Sequence, residues 1–203
     1  MPAGQLLVGR IFERMGKPDD AMAAYVELRT SHPAAAEVAP ATLSLGELTL
    51  KSKQPNREEA ARLLFNDVAT LFPRSPEAPT ALSRRASVEE RRRLRAVDPE
   101  LGTSVPVELQ TYRTLVQQYP DAPAAEAAYE KLAGLYEDLR RFELAAGAWE
   151  GLATHFPQNR RDGWWRAGEL YRDRVKDPAR AQLAYGRVPA GSPRYKDAQE
   201  RLR

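Results

Sequence analysis

The chain has 203 residues, of which 42% are hydrophobic and 29% are charged, an ordinary composition for one globular domain or one repeat array. Lysine and arginine total 31 against 28 acidic residues, so the formal charge of +3 creates no strong field that would attract nucleic acid by itself. The absence of cysteine excludes disulfide bonds, zinc–thiolate sites and a cysteine nucleophile, and two histidines leave few ways to build a histidine-dependent site. No stretch approaches the roughly 20 apolar residues of a membrane helix, and the first residues lack the features of a signal peptide.

Small and aromatic residues recur at fixed intervals in the first segment of the chain, which predicts a pair of helices. Gly9 and Phe12 fall in the first helix, Ala21 and Tyr25 fall in the second, and Pro33 closes the pair. Small residues at these intervals let two helices approach closely, while the aromatic side chains fill the space around the contact. We therefore expect Gly9 to face Ala21 where the two helices cross.

The same intervals recur in segments 35–73, 123–157 and 160–193. The expected crossings pair Gly46 with Ala61, Ala133 with Ala145, and Gly168 with Ala181. A period of 3.6 residues alone explains amphipathic helices, but it does not explain small residues that recur opposite aromatic ones. Four segments in the same register therefore indicate a structural repeat.

The third segment, 76–120, departs from the pattern. Its second helix opens at Pro106, but its first helix has Ala86 at the small position and Glu89 where an aromatic residue is expected. Residues 97–105 contain helix-breaking proline and glycine and are interpreted as an irregular insertion. This insertion is either a hinge between two halves of the array or a functional element.

The first helix of the third segment also carries the only marked cluster of positive charge. Its members are Arg84, Arg85, Arg91, Arg92, Arg93 and Arg95. One interpretation is a water-facing helix whose arginines pair in part with Glu89 and Glu90. The other is a patch for an acidic partner, for lipid headgroups or for nucleic acid, although no aromatic residue lies between the arginines.

These intervals resemble those of the tetratricopeptide repeat superfamily over nearly the whole chain. The resemblance implies an all-α fold, a right-handed α-solenoid of about five helix hairpins with a C-terminal capping helix. It also implies a single array over 1–203. The expected units are 2–33, 35–73, 76–120, 123–157 and 160–193, with a cap over 193–203.

The interval between a closing proline and the next small residue is similar to that of one group within the superfamily. Pro33 lies thirteen residues before Gly46, and Pro120 lies thirteen residues before Ala133, so these first helices start about a turn early. This spacing is similar to that of bacterial cell-envelope members, such as the repeat lipoprotein of the Bam complex and the accessory protein of the Tol–Pal system. The resemblance implies periplasmic scaffolding if the N-terminus is truncated. Because the chain carries neither a signal sequence nor a cysteine, the alternative is a cytoplasmic protein.

Partners of such arrays usually lie in the concave groove, which first helices line. Counted from the pattern, the groove residues are Leu6, Arg10, Glu13, Arg14, Leu43, Glu47, Leu50, Lys51, Glu130, Gly134, Glu137, Asp138, Trp165, Glu169, Arg172 and Asp173. Trp164 is expected in the core, and Trp165 is expected to face the groove as an aromatic anchor. The other interpretation of Trp165 is that it packs under the preceding helix pair.

The functional prediction is a non-catalytic scaffold that binds a protein or peptide partner in the groove, with a role in bacterial envelope assembly. We expect no cofactor and no metal, because no nucleophile–base pair, metal spacing or phosphate loop is present. The alternative function is association with nucleic acid or an anionic surface through the arginine-rich helix over 84–95.

Overall fold

A computed structural model describes all 203 residues, which form two compact units, Met1–Thr111 and Tyr112–Arg203. The predicted all-α class is confirmed, since consecutive helices pair into hairpins in both units. The first unit contains α1 (Pro2–Arg14), α2 (Pro18–Ser31), α3 (Val38–Lys51), α4 (Arg57–Leu71), α5 (Ala78–Arg92), β1 (Arg95–Val97) and β2 (Ser104–Pro106). Helix α6 (Val107–Gln118) begins in the first unit and ends in the second.

Local sequence explains how the first hairpin turns. Helix α1 is followed by Gly16, whose φ of +69° lies in the left-handed region that glycine adopts without strain. Helix α2 then begins at Pro18, whose fixed φ suits a first helical position. Asp19 and Asp20 lie in the first turn of α2, where their charge interacts favourably with the helix dipole.

The small residues of the first helices lie against aromatic rings, which corrects the predicted pairing of glycine with alanine. A Cβ added at Gly9 would lie 2.3 Å from Cε1 of Tyr25, and one at Gly46 would lie 2.5 Å from Cε1 of Phe65. Ala21 and Ala61 are fully buried, but they are not the nearest atoms to these glycines. The glycines therefore admit a whole ring at the crossing of each hairpin.

The third hairpin contains a buried carboxylate in place of the expected aromatic residue. Glu89 is fully buried; Nε of Arg85 donates to Oε1 at 2.8 Å, and the Thr111 hydroxyl donates to Oε2 at 2.7 Å. Arg62 of α4 lies 3.8 Å from the same carboxylate. A buried charge is tolerated only when it is paired and hydrogen-bonded, and these three partners meet that condition.

The segment predicted as irregular, 97–105, contains most of a short β-hairpin. Strands β1 and β2 are antiparallel, and Ala96 pairs with Val105. The buried carboxylate of Asp98 accepts hydrogen bonds from the backbone N–H groups of Glu100 and Leu101, at 3.0 and 2.9 Å, and so fixes the turn between the strands.

The second unit contains two hairpins and a terminal helix. Its elements are α7 (Pro123–Asp138), α8 (Phe142–His155), α9 (Gly163–Leu170), a π-helical turn (Tyr171–Val175) that continues α9, α10 (Pro178–Gly186) and α11 (Tyr195–Arg201). A Cβ added at Gly168 would lie 2.4 Å from Cε1 of Tyr185, the same contact as in the first unit. In the first of these hairpins the arrangement is inverted, because Gly151 of α8 lies against the ring of Tyr129 of α7.

Candidate functional site

The first-helix residues predicted to line a groove in the first unit divide into buried and exposed groups. Leu6 belongs to the core, which corrects its assignment as a binding residue. Leu43 and Leu50 are half-buried and pack in part against the core around Phe65, and their place in the groove stays a prediction. Lys51 is exposed at the end of α3, and Glu47 pairs with Arg84 at 2.5 Å.

Helix α1 keeps its predicted charged residues on the surface. Arg10, Glu13 and Arg14 are exposed, as the groove assignment requires. The Tyr25 hydroxyl donates a short hydrogen bond to the Glu13 carboxylate. Burial and the Glu13 carboxylate both raise the pKa of Tyr25, which therefore stays a hydrogen-bond donor.

The same arrangement, in which an aromatic side chain of the second helix donates a hydrogen bond to a carboxylate of the first helix, recurs twice in the second unit. Nε1 of Trp149 donates to Glu137 at 3.0 Å, and the Tyr185 hydroxyl donates to Glu169 at 2.6 Å. In each hairpin an aromatic residue of the second helix thus holds a carboxylate of the first helix in place. Three of the predicted groove residues, Glu13, Glu137 and Glu169, are positioned in this way.

The remaining first-helix charges of the second unit form a partly paired, acidic surface. Glu130 lies 3.2 Å from Arg161, while Arg172 contacts Glu169 at 3.0 Å and Asp173 at 2.7 Å. Arg201 of α11 reaches Glu169 at 3.8 Å. Asp138 and Gly134 are exposed on α7. We call the five carboxylates, Glu130, Glu137, Asp138, Glu169 and Asp173, the acidic first-helix surface.

The two adjacent tryptophans are not divided between core and groove as predicted. Trp164 and Trp165 are both half-buried. The guanidinium of Arg187 lies 4.7 Å from the centre of the Trp164 ring, and that of Arg194 lies 5.8 Å from the Trp165 ring. The Trp165 ring also packs on Tyr185, with 5.3 Å between ring centres. Trp164 is therefore more exposed than a core residue, and Trp165 is held by its own hairpin.

Both tryptophans line one cleft of about 780 Å³ in the second unit. The cleft lies between the loop that leads into α9 and the loop that follows α10, and the end of α8 forms its floor. The lining includes Phe156, Gln158, Arg160, Asp162, Trp164, Trp165, Arg187, Val188, Pro189, Ser192 and Pro193. We call this the tryptophan cleft.

Two contacts fix the walls of the tryptophan cleft. A Cβ added at Gly163 would lie 2.5 Å from the carbonyl oxygen of Trp149, so only glycine lets α9 begin so close to α8. The hydroxyl of Ser192 donates to Asp162 at 2.5 Å and joins the two loops. Sequence reasoning missed the cleft because its loops are some thirty residues apart; the paired tryptophans after Asp162 were the only local signal.

The arginine-rich helix pairs most of its predicted patch with carboxylates of its own unit. Arg84 pairs with Glu47, Arg85 with Glu89, Arg91 with Glu58 at 3.4 Å, and Arg92 with Glu59. Arg95 donates to the Ser104 carbonyl at 2.6 Å across the β-hairpin. Arg93 is exposed and ends α5 in the left-handed conformation, with φ of 51°. The pairing favours the interpretation of a charged, water-facing helix.

Metal and membrane features are not found in the chain. No group of three or more histidine, aspartate or glutamate side chains is arranged to hold a metal ion. No helix combines the length and the apolar character needed to cross a bilayer.

Comparison with known proteins agrees with the hairpin architecture. Residues 3–35 match the tetratricopeptide repeat family. No curated protein sequence matches the chain. Similar solved structures include a MamA protein, at 16% identity and a TM-score of 0.53 over 98% of this chain and 91% of that one. A tetratricopeptide repeat protein from Parabacteroides merdae ATCC 43184 is 15% identical, with a TM-score of 0.56 over 99% of this chain and 70% of that one. MamA from Desulfovibrio magneticus RS-1 is 17% identical, with a TM-score of 0.50 over 99% and 94%.

The similar structures and the match of residues 3–35 agree on the fold. The chain has the helical-hairpin fold of tetratricopeptide repeat proteins, as the sequence resemblance predicted. Stacked repeats of this fold form extended surfaces, and such surfaces are commonly used to bind other proteins. The narrower likeness to members from the Bam and Tol–Pal systems stays a prediction.

Proposed function

We propose that this protein is a non-catalytic scaffold that binds a protein partner on the acidic first-helix surface, and that the bound segment is basic. In arrays of this class the first helices line the concave groove in which partners lie. The observation that carries the proposal is the repeated fixing of a first-helix carboxylate by a second-helix aromatic residue, seen at Glu137 with Trp149 and at Glu169 with Tyr185.

A carboxylate that is held in this way can still bind a partner. An ionised carboxylate accepts up to about four hydrogen bonds, and a single donor from Trp149 occupies only one of these sites on Glu137. Because its orientation is already fixed, Glu137 loses little conformational entropy when a lysine or arginine of a partner reaches it. Asp138 and Asp173 add exposed negative charge beside the fixed groups.

The net charge of the acidic first-helix surface determines which charge it favours in a partner. Five carboxylates face Arg161, Arg172 and Arg201, and Lys176 lies near Asp173, so a surplus of one negative charge remains on this surface. Complementary charge steers association and rejects partners of like charge. A basic segment, extended or helical, is therefore the ligand that this surface favours.

The alternative of a nucleic-acid or anionic-surface protein receives less support. It depends on the arginines of α5, and Arg84, Arg85, Arg91 and Arg92 already pair with carboxylates. A phosphate would have to displace those partners before it could bind.

The direct test is titration of a short synthetic peptide of lysine and leucine residues. The double variant Asp138→Asn with Asp173→Asn should weaken binding by about tenfold, which corresponds to about 1.4 kcal/mol. The matched control replaces two other exposed aspartates, Asp19→Asn with Asp20→Asn on α2. Failure of the peptide to bind the natural protein, or equal losses in both double variants, would contradict the proposal.

As the setting we propose assembly in the bacterial cell envelope. The support is the spacing from Pro33 to Gly46 and from Pro120 to Ala133, which is similar to that of envelope members of the superfamily. Fractionation of the native host tests this setting. Recovery of the full-length protein with periplasmic or membrane material supports it, and recovery with the cytoplasm alone contradicts it.

A further inference from the structure

We propose that the tryptophan cleft is a second binding site, separate from the acidic first-helix surface, and that it takes an acidic peptide segment with one bulky apolar side chain. The cleft and the acidic surface differ in location and in charge. Evidence against binding at one site would therefore not count against binding at the other.

The cleft has the size and the walls of a pocket for a large apolar side chain. Its volume of about 780 Å³ lies within the usual range for ligand sites, roughly 300–1,000 Å³. Trp164, Trp165 and Phe156 present aromatic surface, and Val188 adds an aliphatic wall. Partly exposed tryptophans in a pocket are frequent anchors of protein recognition.

The charge at the cleft favours an acidic ligand. Arg160 and Arg187 line the cleft, and no carboxylate of the chain pairs with either. Arg187 instead lies over the face of Trp164, which leaves its guanidinium donors available. Asp162 is the one carboxylate in the lining, and it accepts the hydrogen bond from Ser192.

Two further features favour a peptide segment as the occupant. The carboxamide of Gln158 is exposed at the cleft and has no partner within the chain, so it can both donate to and accept from an extended backbone. The walls are already rigid, because Pro189 and Pro193 restrict one loop and the Ser192–Asp162 hydrogen bond joins it to the other. A preformed site spends less of its binding energy on ordering itself.

The experiment uses a labelled synthetic peptide of aspartate and glutamate residues with a single central phenylalanine. Fluorescence anisotropy of the label measures the dissociation constant, and protein tryptophan emission reports whether the ligand reaches Trp164 and Trp165. The variant Arg160→Gln with Arg187→Gln should weaken binding by about tenfold. The matched control is Arg174→Gln, because Arg174 also stacks on an aromatic ring, that of Phe142 at 4.9 Å, but lies outside the cleft.

A series of peptides separates the contribution of the apolar side chain from that of the acidic residues. Replacing the phenylalanine by serine should also weaken binding, and a lysine-containing version should show no change in tryptophan emission that depends on Arg160 and Arg187. The proposal is overturned if the acidic peptide does not bind, if binding leaves tryptophan emission unchanged, or if Arg174→Gln matches the double variant.

Discussion

The hydroxyl of Tyr185 donates a hydrogen bond to Glu169 at 2.6 Å, and this contact joins the second helix of the last hairpin to its first helix. Tyr25 and Trp149 make the equivalent contact with Glu13 and Glu137. The bond closes the hairpin and orients a surface carboxylate at the same time.

Removal of this hydroxyl should weaken the second unit. We expect Tyr185→Phe to lower the free energy of unfolding by about 1.5–3 kcal/mol, since hydrogen bonds to charged groups contribute about that much. Urea denaturation followed by circular dichroism measures the change. Phenylalanine is compatible with the fold, as Phe65 occupies the corresponding place in the second hairpin. An unchanged midpoint would show that the bond adds nothing to stability.

The same bond gives a pH dependence. Burial, followed by the Glu169 carboxylate, raises the pKa of Tyr185 above its ordinary value of 10.0. The unfolded chain therefore ionises first, so this contribution to stability is complete below pH 10 and is lost as the pH rises further. Tyr185→Phe should flatten the decline of stability in that alkaline range.

The close contact of Gly168 with the Tyr185 ring predicts the effect of adding a methyl group there. Gly168→Ala places a Cβ 2.4 Å from Cε1 of Tyr185, and we expect a loss of about 1–3 kcal/mol from overpacking. Gly147→Ala is the control, because nothing lies within 4 Å of a Cβ at that exposed helical position. This control should gain about 0.5–1 kcal/mol from helix propensity. Thermal melts that rank the two variants in the opposite order would contradict the register.

Glu108 provides a prediction for the first unit. It is buried, its Oε2 has no hydrogen-bond partner, and burial, followed by repulsion from Glu90 and Glu89, raises its pKa above 4.5. The stability from its protonated form is complete below pH 4.5 and is lost as the pH rises through the folded pKa. Glu108→Gln should therefore stabilise the protein at neutral pH, and the gain should vanish in acid. A variant less stable than the natural protein at pH 7 would refute this account.

The internal pairing of the arginines of α5 predicts weak binding to nucleic acid. We expect no complex with RNA or DNA tighter than about 10⁻⁵ M at physiological salt, the weak end of non-specific affinity. Gel shift at several salt concentrations measures this. A tight complex that is lost with Arg91→Gln and Arg93→Gln would favour the alternative function.

The regular hairpins could be predicted from the sequence because their packing depends on intervals. Gly9 and Tyr25, or Gly168 and Tyr185, stand at the spacing that lets two helices of one hairpin cross closely, and that spacing is visible in one dimension. The spacing did not show which atoms meet. The aromatic ring covers the glycine, a detail that depends on side-chain direction as well as on register.

Other features depend on contacts between distant residues. Strands β1 and β2 are three residues each, so they carry almost no alternation of apolar and polar residues by which a strand could be predicted. The burial of Glu89 follows from Arg85, Arg62 and Thr111, which no local motif brings together. The first helix of the last hairpin widens into a π-helical turn at Tyr171–Val175, which the intervals of small and aromatic residues do not indicate.

The most direct test of the scaffold claim is site-specific photo-cross-linking in the native host. A photoreactive residue replaces Gly134 on the first helix α7 or, as the matched control, Gly147 on the second helix α8; both positions are exposed, with open space around them. Binding at the acidic first-helix surface predicts a discrete protein cross-link from position 134 that is absent from position 147 and is reduced by Asp138→Asn with Asp173→Asn. No cross-link from position 134, or the same products from both positions, would contradict the account.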